Sequence, residues 1–193
     1  IEEKQEQKKG LMQNLLTGKI RLAGFEEEWE EVSLGELVKK IKGRTVSYDA
    51  KGKHPVIDME YLDSGVFKNY SDDDSVIAST DDVLLLWDGA KAGKSFTLTK
   101  GIVGSTFVKL ECKQVNNIYL HNHFVLNENL IMSIREGSGI PHVPKDFLQY
   151  YTINLPSLDE QKAIATILST ADREIELLKE EVELLKEQKK GLM

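Results

Sequence analysis

The sequence predicts an α+β fold: one mixed globular domain over residues 19–156, with helical segments at both ends, residues 1–18 and 157–193. Three observations lead there. The eight residues from Gln5 to Met12 return as Lys186 to Met193, seven of eight pairs being identical at a constant offset of 181 residues. Leu168, Ala171, Ile175, Leu178, Val182, Leu185, Lys189 and Leu192 step by alternating threes and fours, a heptad seam with one polar member. Between the helical ends, short apolar runs are bounded by Gly, Asp and Asn, the punctuation of strands and turns.

The first element follows from the repeat. If Leu11 is the counterpart of Leu192, the next seam position is Leu15, and Thr17-Gly18-Lys19 reads as a helix end. Gly18 suits a left-handed cap, and Lys19 and Arg21 complement the helix dipole. One period plus a short overlap, opening on Ile1 rather than Met, predicts a piece of a longer, internally duplicated parent.

Further along, Ser33 and Glu36 have the spacing of a capping box, which predicts a short helix over residues 34–41. Residues 54–59, 83–87, 95–99, 102–111 and 150–155 read as strands. Residues 117–135 read as a helix with Leu120, Phe124, Leu126, Leu130, Ile131 and Ile134 on its apolar face. After Pro156, Ser157 and Glu160 repeat the capping-box spacing and open the long C-terminal helix. Glu174, Glu176, Lys179, Glu180 and Glu183 fall off the heptad seam. The seam residues Leu168, Ile175, Leu178, Val182, Leu185 and Leu192 are therefore expected to face a partner helix.

Bulk properties narrow the function. A net charge of −7 argues against a generic polyanion binder basic over its whole surface, but not against one local basic face. The single Cys112 rules out an internal disulfide and fits a reducing cytosol, so a cytoplasmic location is expected. No apolar run approaches eighteen residues and no charged-then-apolar leader opens the chain, so neither a membrane span nor secretion is expected.

Two motifs of chemistry fail on inspection and a third stays as an alternative. Gly89-Ala90-Lys91-Ala92-Gly93-Lys94-Ser95 has three residues between its glycines where a phosphate loop needs four, and a strand follows it instead of a helix. It reads as a hairpin turn carrying two lysines, and no nucleotide cofactor is expected. His54, His121, His123 and His142 lack the spacing of a zinc site, so no metal is expected either. Asp58 or Asp88 with Glu111 and Lys113 has the residue types of a Mg²⁺-dependent nuclease, and this is the alternative function.

Basic residues are better grouped than the net charge suggests. Residues 39–54 carry Lys39, Lys40, Lys42, Arg44, Lys51 and Lys53 against Asp49 alone. Residues 91–113 carry Lys91, Lys94, Lys100, Lys109 and Lys113 against Glu111 alone. Sharing one face, they would make an electrostatic footprint for nucleic acid. The expected DNA contacts are Arg44, Lys51, Lys53, Lys91 and Lys94, with Ser95 and Thr106 as neutral donors.

The stretch Leu155-Pro156-Ser157-Leu158-Asp159-Glu160-Gln161-Lys162-Ala163-Ile164-Ala165, the heptad helix after it, and Glu6 to Lys19 resemble the conserved region of the DNA-specificity subunits of type I restriction–modification systems. Trp29 to Glu36 is similar to the opening of a target recognition domain in that family, and Gly137-Ser138-Gly139-Ile140-Pro141 to a loop near such a domain's end. The resemblance covers essentially the whole chain. It implies a non-catalytic reader of one half of a split double-stranded DNA target, its long conserved helices paired as an antiparallel coiled coil. It implies methyltransferase and restriction (endonuclease and translocase) subunits as partners, and leaves self-association through the long helices open. It also leaves open a two-domain parent or a dimerising half-subunit. An acidic sequence pI of about 5.2 departs from the pattern and puts weight on the local basic patches. As a ruler, residues 159–193 in one helix would span roughly 50 Å, about one and a half turns of DNA.

Overall fold

The computed structural model describes residues 1–191. Helix α1 (Glu2–Leu15) leads to strand β1 (Glu30–Ser33), helix α2 (Leu34–Leu37) and strand β2 (Val38–Lys42). Then come β3 (His54–Ile57), α3 (Met59–Ser64), β4 (Tyr70–Ser71), β5 (Ile77–Ala78), β6 (Asp82–Leu86), β7 (Ser95–Thr97), β8 (Gly101–Val103) and β9 (Phe107–Cys112). Helices α4 (Asn117–Leu126), α5 (Glu128–Ser133) and α6 (Phe147–Tyr150), strand β10 (Thr152–Leu155) and helix α7 (Leu158–Gly191) complete the described part. The architecture is α+β. An antiparallel sheet in the order β2-β9-β6-β7 packs on a mixed one in the order β4-β3-β8-β5, and β1 pairs with β10.

Strand β6 is buried at every position, and its alternation sends side chains into two cores. Val83 and Leu85 join Val108, Leu110, Leu120, Phe124 and Leu168 under the helices. Leu84 and Leu86 join Ile57, Val103 and Phe107 between the two larger sheets. A strand buried on both faces needs no polar alternation, hence the unbroken run from Val83 to Trp87.

Several local expectations change in the fold; the strands expected over 54–59 and 95–99 end at Ile57 and Thr97, and Met59 opens α3. The helix expected over 34–41 is only α2; Val38 to Lys42 instead pairs with β9 along its whole length. Tertiary pairing overrides the local helix signal, and Ser33 Oγ donates to the Glu36 carboxylate (2.8 Å) rather than capping backbone. The strand expected over 102–111 divides at Gly104-Ser105-Thr106, with β8 in one sheet and β9 in the other. The helix expected over 117–135 breaks at Asn127, whose side-chain amide donates to the His123 carbonyl (2.9 Å). Tyr150 belongs to α6, so the strand expected from residue 150 begins at Thr152.

The second capping box is the largest correction. Ser157 precedes α7, but Glu160 does not fold back on it. The Glu160 carboxylate is buried and accepts from Arg21 Nε (2.8 Å), an Arg21 terminal nitrogen (2.8 Å) and Trp29 Nε1 (3.0 Å). A buried carboxylate must be paired, and Arg21 satisfies it with a bidentate fork. Next to it, Gln161 accepts from the Asn116 N–H (2.8 Å) and donates to the Pro156 carbonyl (2.9 Å). This cluster ties the base of α7 to the segment after α1, to β1 and to α4.

Helix α1 runs antiparallel to α7: Lys4 pairs with Glu174 (2.7 Å) and Lys8 with Asp172 (2.6 Å). Met12, Leu15 and Leu16 are buried with Ile164 and Leu168, and Gly18 takes the left-handed conformation at φ +69°. Along the seam, Leu168 and Ile175 are buried, Ala171, Leu178 and Val182 half-buried, and Leu185 is exposed. Leu192 lies outside the described residues.

Candidate nucleic-acid interface

The corner where β2 leaves its sheet and β8 turns into β9 is built on glycine. A Cβ on Gly43 would collide with the Gly104 carbonyl, and one on Gly104 would lie 2.8 Å from the Ile57 carbonyl. Only two bare backbones approach so closely. The Arg44 N–H donates to the Val103 carbonyl (3.2 Å), and the Thr106 carbonyl accepts from Trp87 (2.8 Å) and Asp88 (3.1 Å). This corner floors a cleft of about 360 Å³ lined by Arg44, Tyr48, Asp58, Glu60, Ser105 and Thr106, among others.

The polar wall of the cleft is already satisfied. Asp58 caps α3, its Oδ1 accepting from the N–H groups of Glu60 (3.0 Å) and Tyr61 (3.0 Å). Its Oδ2 accepts from the Tyr48 hydroxyl (3.0 Å) and the Asn69 amide (2.8 Å). Burial, then the bond to Asp58, raises the Tyr48 pKa. Arg44 differs. Its side chain is exposed and makes no ion pair or hydrogen bond among the described residues, whereas Arg21, Arg135 and Arg173 are all engaged.

The expected DNA contacts separate into groups. Arg44 and Thr106 line the cleft. Lys51 and Lys53 lie on the loop leading to β3, exposed and without an ion pair among the described residues. Lys91 and Lys94 sit at the turn from β6 to β7, where Lys91 pairs with Asp63 and Lys94 with Glu128 (3.9 Å). Ser95 is half-buried and shares a hydrogen bond with His121 Nδ1 (2.9 Å). Helix α3 links the groups: Asp58 and Glu60 line the cleft, while Asp63 lies beside Lys91 and Lys94.

The sequence marked Lys40, Lys42 and the loop over 137–141 but neither their partners nor their place beside one another. Lys42 pairs with Asp88, and Lys40 lies over the Trp87 ring, 4.2 Å from its centroid. Burial first, and the Lys42 charge second, lower the Lys40 pKa. The loop from Gly137 to Pro141 closes on the same edge: Glu136 and His142 bridge its ends, His142 bridges Asp88, and Gly89 donates to the Pro141 carbonyl (2.8 Å). The glycine-rich motif marked the loop, but nothing local to it marked its neighbour.

The nuclease residues do not converge. In the register of β6 and β9, Asp82 faces Glu111 and Leu86 faces Phe107. Asp88, two residues beyond Leu86, and Asp58, beside Gly104, therefore lie at one end of β9, with Glu111 and Lys113 at the other. At about 3.3 Å per residue the ends are roughly 15 Å apart. Glu111 is bound by Lys109 (2.9 Å), which holds its pKa below the usual carboxylate value, and by Lys39 (3.5 Å). Among the described residues, no group of three or more His, Cys, Asp or Glu side chains is arranged to hold a metal ion. Burial pushes His121 and His123 each down to about 4, with Lys8 adding to the effect at His121.

Comparisons with known proteins fit this architecture. Residues 26–187 match the family model described as "Type I restriction modification DNA specificity domain". The chain is 39% identical over 175 residues to the type I restriction enzyme MjaVIII specificity subunit of Methanocaldococcus jannaschii, covering 86% of this chain and 41% of that protein. It is 26% identical to the putative MjaX specificity subunit of the same organism, covering 96% of this chain and 48% of that one. The chain thus spans less than half the length of these curated relatives. Among solved structures it is similar to the HsdS subunit from Thermoanaerobacter tengcongensis, with a TM-score of 0.69 at 21% identity over 92% of this chain and 46% of that one. A chain from a structure on complex assembly and conformational transition of the type I R-M system gives 0.71 at 20% identity, over 98% of this chain and 51% of that one. At such identities the structures establish the fold. Among the described residues, no helix is long and apolar enough to cross a membrane.

Proposed function

The chain belongs to the type I restriction modification DNA specificity domain family, and from that premise we infer that it is a target recognition domain reading one half of a split double-stranded DNA site. The observation that carries this reading is the glycine-built corner, a rigid platform presenting Arg44 beside neutral Ser105 and Thr106, with Lys51 and Lys53 on the adjoining loop, all three cations without an ion pair among the described residues. Free cations suit phosphates, and rigid polar side chains suit base edges. Lys91 and Lys94 join such a surface by exchanging Asp63 and Glu128 for DNA phosphates.

The domain supplies position on DNA and leaves chemistry to methyltransferase and restriction subunits. Support for a non-catalytic role is positional: Asp58 is saturated by four donors, Asp88 is bound to Lys42, and Glu111 lies at the far end of the sheet. The long helices act as scaffold, with α1 and α7 already paired antiparallel. An open groove along α7, lined by Asn116, Ile118, Ala165, Ser169 and Leu177, supports docking of a partner subunit. A cytoplasmic complex on cellular DNA is the setting this role requires.

The test is selection from a random duplex library by the purified chain, alone and with its methyltransferase subunit. The reading expects one short sequence to be enriched, with affinity falling steeply with salt. It also expects no cleavage by the chain with Mg²⁺. Retention indifferent to sequence, or Mg²⁺-dependent nicking lost in Glu111→Gln, would overturn it.

A further inference from the structure

We propose that Arg44 is a base-reading residue of this domain, directed at a guanine edge, and not a phosphate contact like the lysines around it. Its role rests on the domain being a DNA reader. Four observations carry it. Arg44 alone among the four arginines has no side-chain partner among the described residues, so its fork of donors is free. Its backbone is fixed by the bond to Val103 and by the Gly43–Gly104 contact, so the side chain projects from a rigid base instead of a floppy loop. Ser105 and Thr106, beside it, offer hydroxyls that suit a base edge.

The fourth observation separates base from phosphate. Asp58 and Glu60 line the same cleft, so a phosphate bound there would face two carboxylates. Guanine N7 and O6 are neutral acceptors spaced for the two parallel N–H groups of a guanidinium, and they meet no such repulsion. Exposed Lys51 and Lys53, whose ammonium groups act as point charges, are left for the backbone.

The experiment is sequence enrichment from a random duplex library, with a salt titration, on the full wild-type chain, Arg44→Ala, Arg44→Lys and the double variant Lys51→Ala/Lys53→Ala. One guanine position should lose about 10-fold or more of its discrimination in Arg44→Ala while other positions hold. Arg44→Lys keeps the charge and loses the fork, so it should lose the same guanine preference with the wild-type salt slope. The lysine variant should weaken all sequences alike and flatten the slope. Equal weakening of all sequences by Arg44→Ala, or an intact guanine preference in Arg44→Lys, would overturn the proposal. A wild-type chain that enriches no sequence would overturn the DNA-reading role itself, and Arg44's part with it.

Discussion

The two halves of α7 carry one heptad pattern in two different surroundings. From Leu158 to about Leu178 the helix is covered: Ile164, Leu168 and Ile175 are buried, and α1 lies antiparallel along it. Beyond Lys179 only Val182 is half-buried among the described residues, and Leu184 and Leu185 are 59% and 56% exposed. The seam runs through both halves without a break, so the sequence specifies a face to be covered but not what covers it. A helical stretch with one bare face gains only a few tenths of a kcal/mol from pairs such as Lys186 with Glu183. The distal half therefore presents an apolar seam with little packing of its own.

The strongest break in that comparison comes from the covered half. Leu168 is fully buried among α1, α4 and β-sheet residues. Leu168→Ala should lower unfolding free energy by about 3 kcal/mol, through lost transfer energy plus the cavity left behind. Urea titration followed by circular dichroism measures it, and a loss below about 1 kcal/mol would mean that the base of α7 is not clamped.

Acid should be the next largest perturbation, and it too acts on the covered half. His123 on α4 is buried against Tyr119 and its Nε2 finds no hydrogen-bond partner among the described residues, so burial holds its pKa at about 4. The unfolded value is near 6.5. A group neutral when folded and protonated when unfolded stabilises fully above pH 6.5, and that stability is lost as pH falls towards 4. By pH 5 the loss is about 2 kcal/mol. Stability curves of wild type and His123→Gln between pH 7 and 4 should diverge accordingly, the variant being flatter. Parallel curves would place the acid sensitivity elsewhere, His121 beside Lys8 and Asp172 being the first suspect.

A third change distinguishes two uses of one motif. Ser-x-x-Glu at residues 157–160 has the spacing of a capping box, which would make Ser157→Ala cost about 1 kcal/mol. Glu160 is occupied by Arg21 and Trp29, and Ser157 Oγ makes no hydrogen bond among the described residues. The expected change is therefore within about 0.5 kcal/mol. Glu160→Gln should cost distinctly more, because it takes the charge from the Arg21 fork. Thermal unfolding of the two variants side by side decides which residue anchors α7.

What could be read from the sequence divides along the same line. Strand β6 was legible because burial on both faces writes itself as a continuous apolar run. The long helix was legible from its seam. The end of α2 was not, because the pairing of Val38 to Lys42 with β9 involves residues about seventy positions away. The break in 102–111 was equally hidden: Gly104 turns the chain between two sheets, and the reason is its contact with Gly43 and Ile57. For the candidate site, charge pattern singled out Arg44, Lys51 and Lys53 along with Lys91 and Lys94. The difference among them depends on acids distant in sequence, Asp63 and Glu128, which only the fold brings up to the latter pair.

The smallest effect on the isolated chain is the most informative for the distal half. Leu185→Lys replaces a side chain already 56% exposed, so the stability of the chain alone should move by no more than about 0.5 kcal/mol. If a partner helix covers that seam, the same change should weaken pairing, because a leucine buried in a helix seam contributes about 1.5–3 kcal/mol. Val182→Lys, one seam step earlier and half-buried here, should act in the same direction in both settings, with a larger effect on the isolated chain. Two measurements are needed: unfolding of the chain alone, and its sedimentation with itself at high concentration. Weakened association without a change in unfolding would make the distal seam an interface. If association survives both substitutions, α7 beyond Lys179 is a solvated arm and the interface lies elsewhere.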